Sequence, residues 1–230
     1  VRECLKNFAY GDNRILELSR AYKISLDTGW DVPPGVLHAP ASLCTYEPQF
    51  ASDVYAMYQS VLYYDHCVPE SLLWKNCPDE EIGNYDYLVD VIDWEKNVDP
   101  DFHRNRFMRP LVCRSGEGFV EEWICYKCPI VGAKRLTVAP GATVTVTDGF
   151  AYGMILIQGK GTMNGIKIET PALIRFDELT NDEFFVSEKA ATAGVTITNV
   201  SDTEPVVILK HFAENKELTE IVSRIADRDC

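Results

Sequence analysis

The amino-acid sequence predicts an all-β protein with peripheral helices. Between residues 118 and 212, short runs that alternate apolar and polar residues follow one another at close spacing. Turn-forming pairs separate these runs, among them Pro140-Gly141, Asp148-Gly149 and Asn164-Gly165. Many short strands joined in this way are typical of an antiparallel barrel or sandwich. Apolar residues at helical spacing occur in the segments that flank this region.

Each predicted element follows from its own pattern. Residues 14–22 are predicted to form a short helix in which Ile15 and Leu18 share one face. A second helix begins at Pro78, because the acidic residues after this proline favour a helical first turn. The tail from Glu214 is predicted to be a capping helix. The predicted strands span 60–64, 119–128, 134–138, 143–147, 154–158, 165–169, 172–176, 183–187, 194–199 and 205–210.

Composition and charge limit the classes of function. The chain has 230 residues, enough for one large domain or two small ones. Its 46% hydrophobic and 25% charged residues are typical of a soluble globular protein. Its 22 basic residues are outnumbered by 35 acidic ones, and the resulting net charge of −13 repels phosphate backbones. We therefore expect neither nucleic acid nor a membrane as a partner, and no apolar run approaches the length of a membrane span.

The eight cysteines are scattered through the sequence. Their even number permits disulfides, but a chain of this size builds a core without them, and no secretory leader is visible. We therefore expect free thiols and a cytoplasmic protein. Cys125 and Cys128 form a CxxC pair, which also occurs in zinc sites and redox sites. Because no second CxxC accompanies this pair and it lies in a predicted strand, structural thiols are the favoured interpretation.

The strongest chemical signal is a proline-rich corner and the strand predicted after it. Pro33-Pro34-Gly35 predicts a rigid reversal, and His38 follows it three residues later. A histidine held in this way is a candidate metal ligand, and a hydrogen-bonded structural histidine is the alternative. Thr45, Glu47 and Gln49 recur at period two, which places them on one face of a strand.

These strand residues and a neighbouring tryptophan have several candidate roles. Glu47 is a candidate general base, metal ligand or hydrogen-bond acceptor for a sugar hydroxyl, and an ion pair with a barrel lysine or arginine is the alternative. Gln49 and Thr45 are candidate substrate-binding residues. Trp30 is a candidate for stacking on a sugar ring, although aromatic residues fill barrel walls at least as often.

A basic patch at residues 103–110 stands out in this acidic chain. Arginine guanidinium groups match the geometry of carboxylates and phosphates, so Arg104 and Arg106 are candidates for binding an anionic substrate. The favoured interpretation is a linker whose arginines pair with nearby acidic residues.

Two segments resemble the cupin family of double-stranded β-helix barrels. Residues 140–165, PGATVTV…GMILIQGKGTMNG, resemble the first cupin motif, with Tyr152 at the position of its glutamate ligand and residues 145–148 at that of its histidine pair. None of these positions holds a histidine, so the resemblance implies a barrel without metal. Residues 30–40, WDVPPGVLHAP, resemble the second cupin motif, in which His38 matches the metal-binding histidine.

Residues 14–57 are similar to mannose-6-phosphate isomerases in particular. The counterparts of that family's corner and following strand are His38, Glu47, Gln49, Ser52 and Asp53. The resemblance implies one divalent metal, zinc, bound by His38 together with ligands from upstream of Val1. The family's catalytic arginine corresponds to Met57, which cannot stabilise a developing enediolate.

The resemblance implies a bicupin. Residues 1–64 are then the C-terminal part of a first, metal-type barrel that is partial in this chain. Residues 65–117 are a helical and loop connector. Residues 118–213 form a second barrel that lacks metal ligands, and residues 214–230 form a C-terminal helix. The implied function is a metal-dependent isomerase-like enzyme acting on a sugar or sugar phosphate. The alternatives are a non-catalytic carbohydrate-binding or regulatory bicupin, and a cupin-type lyase or dioxygenase acting on a small acid. The expected partner is a small-molecule carbohydrate, and the second barrel is expected to support the first or to drive formation of a homodimer.

Overall fold

A computed structural model describes residues 1–41, 43–50 and 55–226. Its α-helices are α1 (Arg2–Lys6), α2 (Tyr85–Asp90), α3 (Trp94–Asn97), α4 (Phe102–Arg106), α5 (Glu188–Ala193) and α6 (Lys216–Ala226). Short 3₁₀ helices lie at Phe8–Tyr10, Ile15–Leu18, Tyr63–Asp65, Glu70–Leu72 and Asp79–Glu81. The strands are β1 (Gly29–Trp30), β2 (Val61–Leu62), β3 (His66–Cys67), β4 (Phe107–Met108), β5 (Leu111–Gly116), β6 (Phe119–Cys125), β7 (Val131–Val138), β8 (Thr143–Val146), β9 (Tyr152–Gln158), β10 (Lys160–Met163), β11 (Ile166–Glu169), β12 (Glu183–Val186), β13 (Val195–Asn199) and β14 (Val206–Ala213).

The described chain forms two units. Residues 1–25 and 32–105 make up the first unit. Residues 26–31 and the described residues from 106 onward make up the second unit. None of the helices in the described ranges combines the length and the apolar character that crossing a membrane requires.

The first unit has a small apolar core beneath short helices. Leu5, Leu73 and Leu88 are buried together in this core, which therefore crosses the domain boundary predicted at residue 64. The strands β2 and β3 of this unit are two residues long and pair with each other. A partial barrel over residues 1–64 stays a prediction.

The helices predicted for the first unit are shorter than expected. The predicted helix over 14–22 is reduced to the 3₁₀ helix Ile15–Leu18. The helix predicted to begin at Pro78 is divided by Gly83, whose φ of +90° lies outside the helical region. The side chain of Asn84 then caps α2 by accepting hydrogen bonds from backbone N–H groups of its first turn.

The second unit is an antiparallel jelly roll. Strands β7 to β14 pair from the outside of the sequence inward: β7 with β14, β8 with β13, β9 with β12, and β10 with β11. Together with β5 and β6 they form two sheets, with strand orders β12-β9-β14-β7-β6-β5 and β11-β10-β13-β8. This nested pairing is that of a double-stranded β-helix. The all-β prediction with peripheral helices is confirmed, and so is the double-stranded β-helix predicted for the second half of the chain.

Strand β5 lies within residues 65–117, which were predicted to be a connector. Strand β10 was missed because its glycines suggested a turn. The sequence Gly159-Lys160-Gly161 suggests a reversal, but only Gly159 adopts a positive φ, of +89°. Gly161 lies inside β10, where a Cβ atom would collide with the carbonyl oxygen of Thr198 on β13. This glycine is therefore needed for close strand pairing rather than for turning.

One strand predicted for the second unit does not form. Residues 172–176 lie in a loop that is closed by a hydrogen bond from Glu169 N to Asn181 O, 3.1 Å long. The loop exposes Leu173 and Phe176, although such residues favour strands. In this loop the β-forming residues have no neighbouring strand with which to pair, so their strand propensity alone predicts the wrong structure.

The C-terminal helix covers one end of the barrel, as the tail pattern predicted. Leu218 of α6 is fully buried against the core that contains Trp123, Leu136 and Ile208. Gly132 permits this approach, since a Cβ atom there would lie 2.9 Å from Leu218 Cδ1. The interior is thus closed by a helix whose apolar stripe was visible in the sequence.

Candidate functional site

The proline-rich corner of the first unit is held rigidly, as predicted. Gly35 has a φ of +80° and its carbonyl oxygen accepts hydrogen bonds from Asp93 N at 3.1 Å and Asn97 Nδ2 at 2.7 Å. The backbone N–H of Leu37 donates to Asn97 Oδ1 at 2.9 Å. A Cβ atom at Gly35 would lie 2.9 Å from Asp93 N, so this close approach to α3 requires glycine.

His38 extends from this corner as an exposed side chain. Its Nδ1 atom lies 2.9 Å from the carbonyl oxygen of Val36, which is buried. Because a carbonyl oxygen only accepts hydrogen bonds, Nδ1 donates in this contact, and in the neutral tautomer that does so Nε2 carries the lone pair. Metal-binding histidines are commonly oriented by a hydrogen bond of this kind.

The strand predicted to carry the polar face after the corner does not form. Residues 43–50 have no regular secondary structure, and Thr45, Glu47 and Gln49 are exposed. Pro48 interrupts this stretch, and a proline cannot donate a hydrogen bond to a neighbouring strand. Thr45 Oγ1 donates to Glu47 Oε1 at 2.8 Å. The prediction of a polar strand face is therefore wrong for these residues, and their substrate-binding and catalytic roles stay predictions.

The described residues do not form a metal centre by themselves. Within residues 1–41, 43–50 and 55–226, no three histidine, cysteine or carboxylate side chains are grouped so that they could hold a metal ion. Ser52 and Asp53, which the resemblance to mannose-6-phosphate isomerases singled out, lie outside the described residues. His38 as a zinc ligand stays a prediction that rests on the family resemblance.

The CxxC pair consists of free thiols, as the favoured interpretation states. Burial, with smaller contributions from Asp31 and Cys128, raises the pKa of Cys125 to about 11. A thiol with a raised pKa is protonated at neutral pH, whereas metal binding and thiol exchange both require the thiolate. This environment is typical of a structural cysteine.

The tryptophan and the arginines proposed for substrate binding have structural contacts. Trp30 lies on β1, and its ring meets that of Phe107 on β4 at a centroid distance of 5.2 Å and an angle of 63°. Arg106 Nη1 lies 2.6 Å from Asp31 Oδ2, so this arginine pairs with an acidic residue as the linker interpretation predicts. Arg104 is exposed, with Nη2 3.9 Å from Asp101 Oδ2.

The second unit contains a buried ion cluster that sequence reasoning missed. Glu121 on β6, Lys134 on β7 and Lys210 on β14 project from neighbouring strands into the barrel, and Asp148 follows β8. All four are among the most buried residues of the chain. Charged residues are almost never buried to this extent unless they are paired.

Lys210 lies at the centre of this cluster. Its Nζ atom is 2.5 Å from Glu121 Oε1 and 2.5 Å from Asp148 Oδ2. The contact with Asp148 is a hydrogen bond, whereas the contact with Glu121 is an ion pair without a hydrogen bond. Lys134 Nζ lies 3.2 Å from Asp148 Oδ1. Each ammonium therefore faces a carboxylate in the barrel interior.

Two further residues complete the charge balance. Arg114 Nε donates to Glu121 Oε2 at 2.6 Å, and its Nη2 lies 2.8 Å from Asp148 Oδ1. Glu217 on α6 accepts a hydrogen bond from Lys134 Nζ at 2.9 Å. Arg114, Lys134 and Lys210 thus oppose Glu121, Asp148 and Glu217, and the ion cluster, defined by these six residues, is neutral.

The electrostatics of the ion cluster favour the charged forms of Asp148 and Lys134. Burial alone would raise the pKa of Asp148, but Lys210 and Lys134 outweigh this effect and hold the pKa below its ordinary value. Burial alone would lower the pKa of Lys134, but Asp148, Glu121 and Glu217 outweigh it and raise the pKa. Both groups therefore stay ionised at neutral pH, and neither is available as a general acid or base.

Aromatic rings surround the two ammonium groups. Lys134 Nζ lies 4.6 Å from the centroid of Trp123 and 5.2 Å from that of Phe212. Lys210 Nζ lies 4.9 Å from the ring of Tyr152. Cation–π contacts of this length add to the stabilisation of a desolvated ammonium.

Comparisons with known proteins identify solved structures but no sequence relatives. No family model and no curated protein matches the chain. An RmlC-like cupin from Shewanella frigidimarina is 14% identical over 47% of this chain and 86% of its own length, with a TM-score of 0.33. A Cupin_2 domain of an XRE family transcriptional regulator from Enterobacter cloacae is 15% identical over 43% of this chain and 99% of its own, with a TM-score of 0.31.

A mutant of Bacillus subtilis oxalate decarboxylase is also similar, at 19% identity over 48% of this chain, with a TM-score of 0.33. This chain spans 30% of the length of that protein. The second unit has a cupin-type fold. The nested strand pairing of the jelly roll defines this fold, and likenesses with such low TM-scores carry no inference about family, activity or ligand.

Proposed function

We propose that this chain is a non-catalytic, regulatory or carbohydrate-binding protein of the cupin type. The observation that carries the proposal is the position of Lys210. The cupin resemblance places residues 145–148 and Tyr152 where metal ligands are expected, and Lys210 Nζ lies 2.5 Å from Asp148 and 4.9 Å from the ring of Tyr152. A tethered ammonium therefore neutralises the carboxylates that a divalent cation would need.

The carbohydrate class comes from the similarity of residues 14–57 to mannose-6-phosphate isomerases. Glu47 and Gln49 are exposed in this region and offer acceptors and donors to sugar hydroxyls. Met57, at the position of the family's catalytic arginine, is a partly buried neighbour of the first unit's core. These features support sugar recognition without proton transfer between carbons.

Binding and turnover can be separated in one experiment. Mannose and mannose 6-phosphate are mixed with the purified chain, and NMR follows both saturation transfer to the sugar and its conversion to the ketose. We expect saturation transfer to the sugar without its conversion to the ketose. Ketose formation would contradict the non-catalytic assignment, and the lack of transfer to either sugar would contradict the carbohydrate class.

A metal-dependent sugar isomerase is the second candidate. The hydrogen bond between His38 Nδ1 and Val36 O favours it, because the bond orients the imidazole as a metal-binding histidine is oriented. Elemental analysis of the wild type and of His38→Ala tests this candidate. A zinc content that is stoichiometric in the wild type and lost in the variant would support it, and equal zinc contents would contradict it.

A further inference from the structure

The barrel end covered by α6 brings two buried donors to one carboxylate. Glu217 Oε2 accepts a hydrogen bond from Lys134 Nζ at 2.9 Å, and Oε1 accepts one from Trp123 Nε1 at 3.3 Å. The side chain of Lys134 is 1% exposed, whereas that of Glu217 is 40% exposed. The donors therefore belong to the barrel interior, and the carboxylate lies at its rim.

This arrangement has the properties of a carboxylate-binding site. The ammonium of Lys134 supplies charge, the indole N–H of Trp123 supplies a second directed donor, and the ring of Phe212, 5.2 Å from Lys134 Nζ, supplies an apolar wall. Both donors are fixed in the barrel, since Lys134 also contacts Asp148 and Trp123 is buried in the core. Preorganised donors of this kind bind a ligand at a low cost in conformational entropy.

The charge balance identifies the ligand class. Without Glu217, the ion cluster would hold three cations and the two remaining carboxylates of Glu121 and Asp148, so it would carry one net positive charge. One monovalent anion restores neutrality. A carboxylate matches the two donors in the geometry that the Glu217 side chain shows.

We propose that Lys134 and Trp123 form a binding site for small monocarboxylates, and that α6 fills this site with its own Glu217. A carboxylate ligand competes with Glu217 and loosens α6, which is otherwise held by Leu218 and by the apolar stripe that follows it. This site does not depend on the sugar-binding region or on the function proposed above.

Chemical rescue tests the site directly. Glu217→Ala removes the carboxylate and leaves the donors, so we expect the thermal midpoint to fall and to recover in sodium acetate. A tenfold excess of acetate over its dissociation constant should raise the folding equilibrium constant about elevenfold. Sodium chloride at the same ionic strength should not do so. Equal effects of acetate and chloride on Glu217→Ala would overturn the proposal.

Two comparisons keep the test specific. Glu220→Ala is the matched control, because Glu220 lies on the same helix but pairs with Arg224 at 3.7 Å, and acetate should stabilise this variant no more than chloride does. In the wild type, acetate should shift the indole N–H resonance of Trp123 saturably and should accelerate amide exchange in α6. A shift that does not saturate, or that chloride reproduces, would overturn the proposal even if Glu217→Ala does not fold.

Discussion

Replacing Lys210 with methionine tests how far the barrel depends on the ion cluster. The Lys210 side chain is 1% exposed, and Nζ lies 2.5 Å from both Glu121 and Asp148. Removing one partner of a buried ion pair costs about 3–5 kcal/mol, because a charge is left uncompensated. Both carboxylates keep Arg114, so we expect a loss near 3 kcal/mol. That loss is a large share of the roughly 5–15 kcal/mol by which domains are stable.

Thermal unfolding followed by near-UV circular dichroism measures this loss. The matched control is Lys167→Met, because Lys167 also pairs with a carboxylate, that of Glu169 at 2.7 Å, but its side chain is 65% exposed. Surface ion pairs contribute about 0–1 kcal/mol. We therefore expect the midpoint of the barrel transition to fall by roughly 10 °C for Lys210→Met and to change little for Lys167→Met.

A double variant separates the effect of charge from that of packing. Glu121→Leu combined with Lys210→Met removes one charge of each sign from the barrel interior. Apolar replacement of a complete buried pair is often neutral or stabilising, so we expect part of the lost stability to return. The reasoning is refuted if Lys210→Met unfolds at the same temperature as Lys167→Met, or if the double variant is no more stable than Lys210→Met alone.

Three further substitutions or measurements test the second unit. Asp148→Asn should destabilise the barrel at neutral pH but not in acid. The pKa of Asp148 in the folded state is lowered, so the stability that its carboxylate contributes is complete above the ordinary pKa of about 3.9. This contribution disappears as the pH falls through the lowered pKa of the folded state. A stability difference from the wild type that persists unchanged into acid would contradict this. Gly161→Ala should lower the thermal midpoint by disrupting the pairing of β10 with β13. The control Gly149→Ala should not, because no atom lies within 4 Å of the added Cβ. Equal midpoints of the two variants would contradict the packing argument. Iodoacetamide should alkylate Cys67, which is exposed, faster than Cys125, whose pKa is raised to about 11. Mass spectrometry of the labelled peptides measures the two rates, and faster labelling of Cys125 would contradict the prediction.

The barrel was predictable because its signals are local. Alternating residues and turn pairs identify β7, β8, β9 and β13 within a few residues of their observed ends. The errors arose where a local signal had a second meaning, as at Gly161, which permits close strand contact instead of turning the chain. The loop at 172–176 shows the opposite error, since its strand-forming residues lack a neighbouring strand.

The ion cluster was only partly predictable. Glu121-Glu122 and Lys134-Arg135 each place one charged residue inward and one outward, since successive strand residues face opposite sides. The apolar neighbours Trp123 and Leu136 mark which side faces the core, so the inward positions of Glu121 and Lys134 could have been inferred. Their partners could not, because pairing with Asp148 and Lys210 requires the register of the folded sheets.

In the first unit, the family resemblance predicted more structure than the physical signals of the sequence support. The corner at Gly35 follows from backbone chemistry and is found as expected. His38 is exposed, with no polar strand beside it, and its role as a metal ligand stays a prediction. The polar strand face was inferred from a period of two, although Pro48 within it argued against a paired strand. A resemblance can align residues one by one, but it does not show that a segment has a partner strand to pair with.

Lys210 connects the chemistry of the barrel to its role. A divalent cation bound by three protein ligands keeps a coordination position that a substrate can occupy. The ammonium of Lys210 is fixed to the chain, and its 2.5 Å contacts with Glu121 and Asp148 use the charges that would attract such an ion. This ammonium neutralises the carboxylates of Glu121 and Asp148, but it offers no coordination position that a substrate could occupy. The ion cluster in the interior of the second unit is therefore suited to stabilising the barrel rather than to binding a divalent cation.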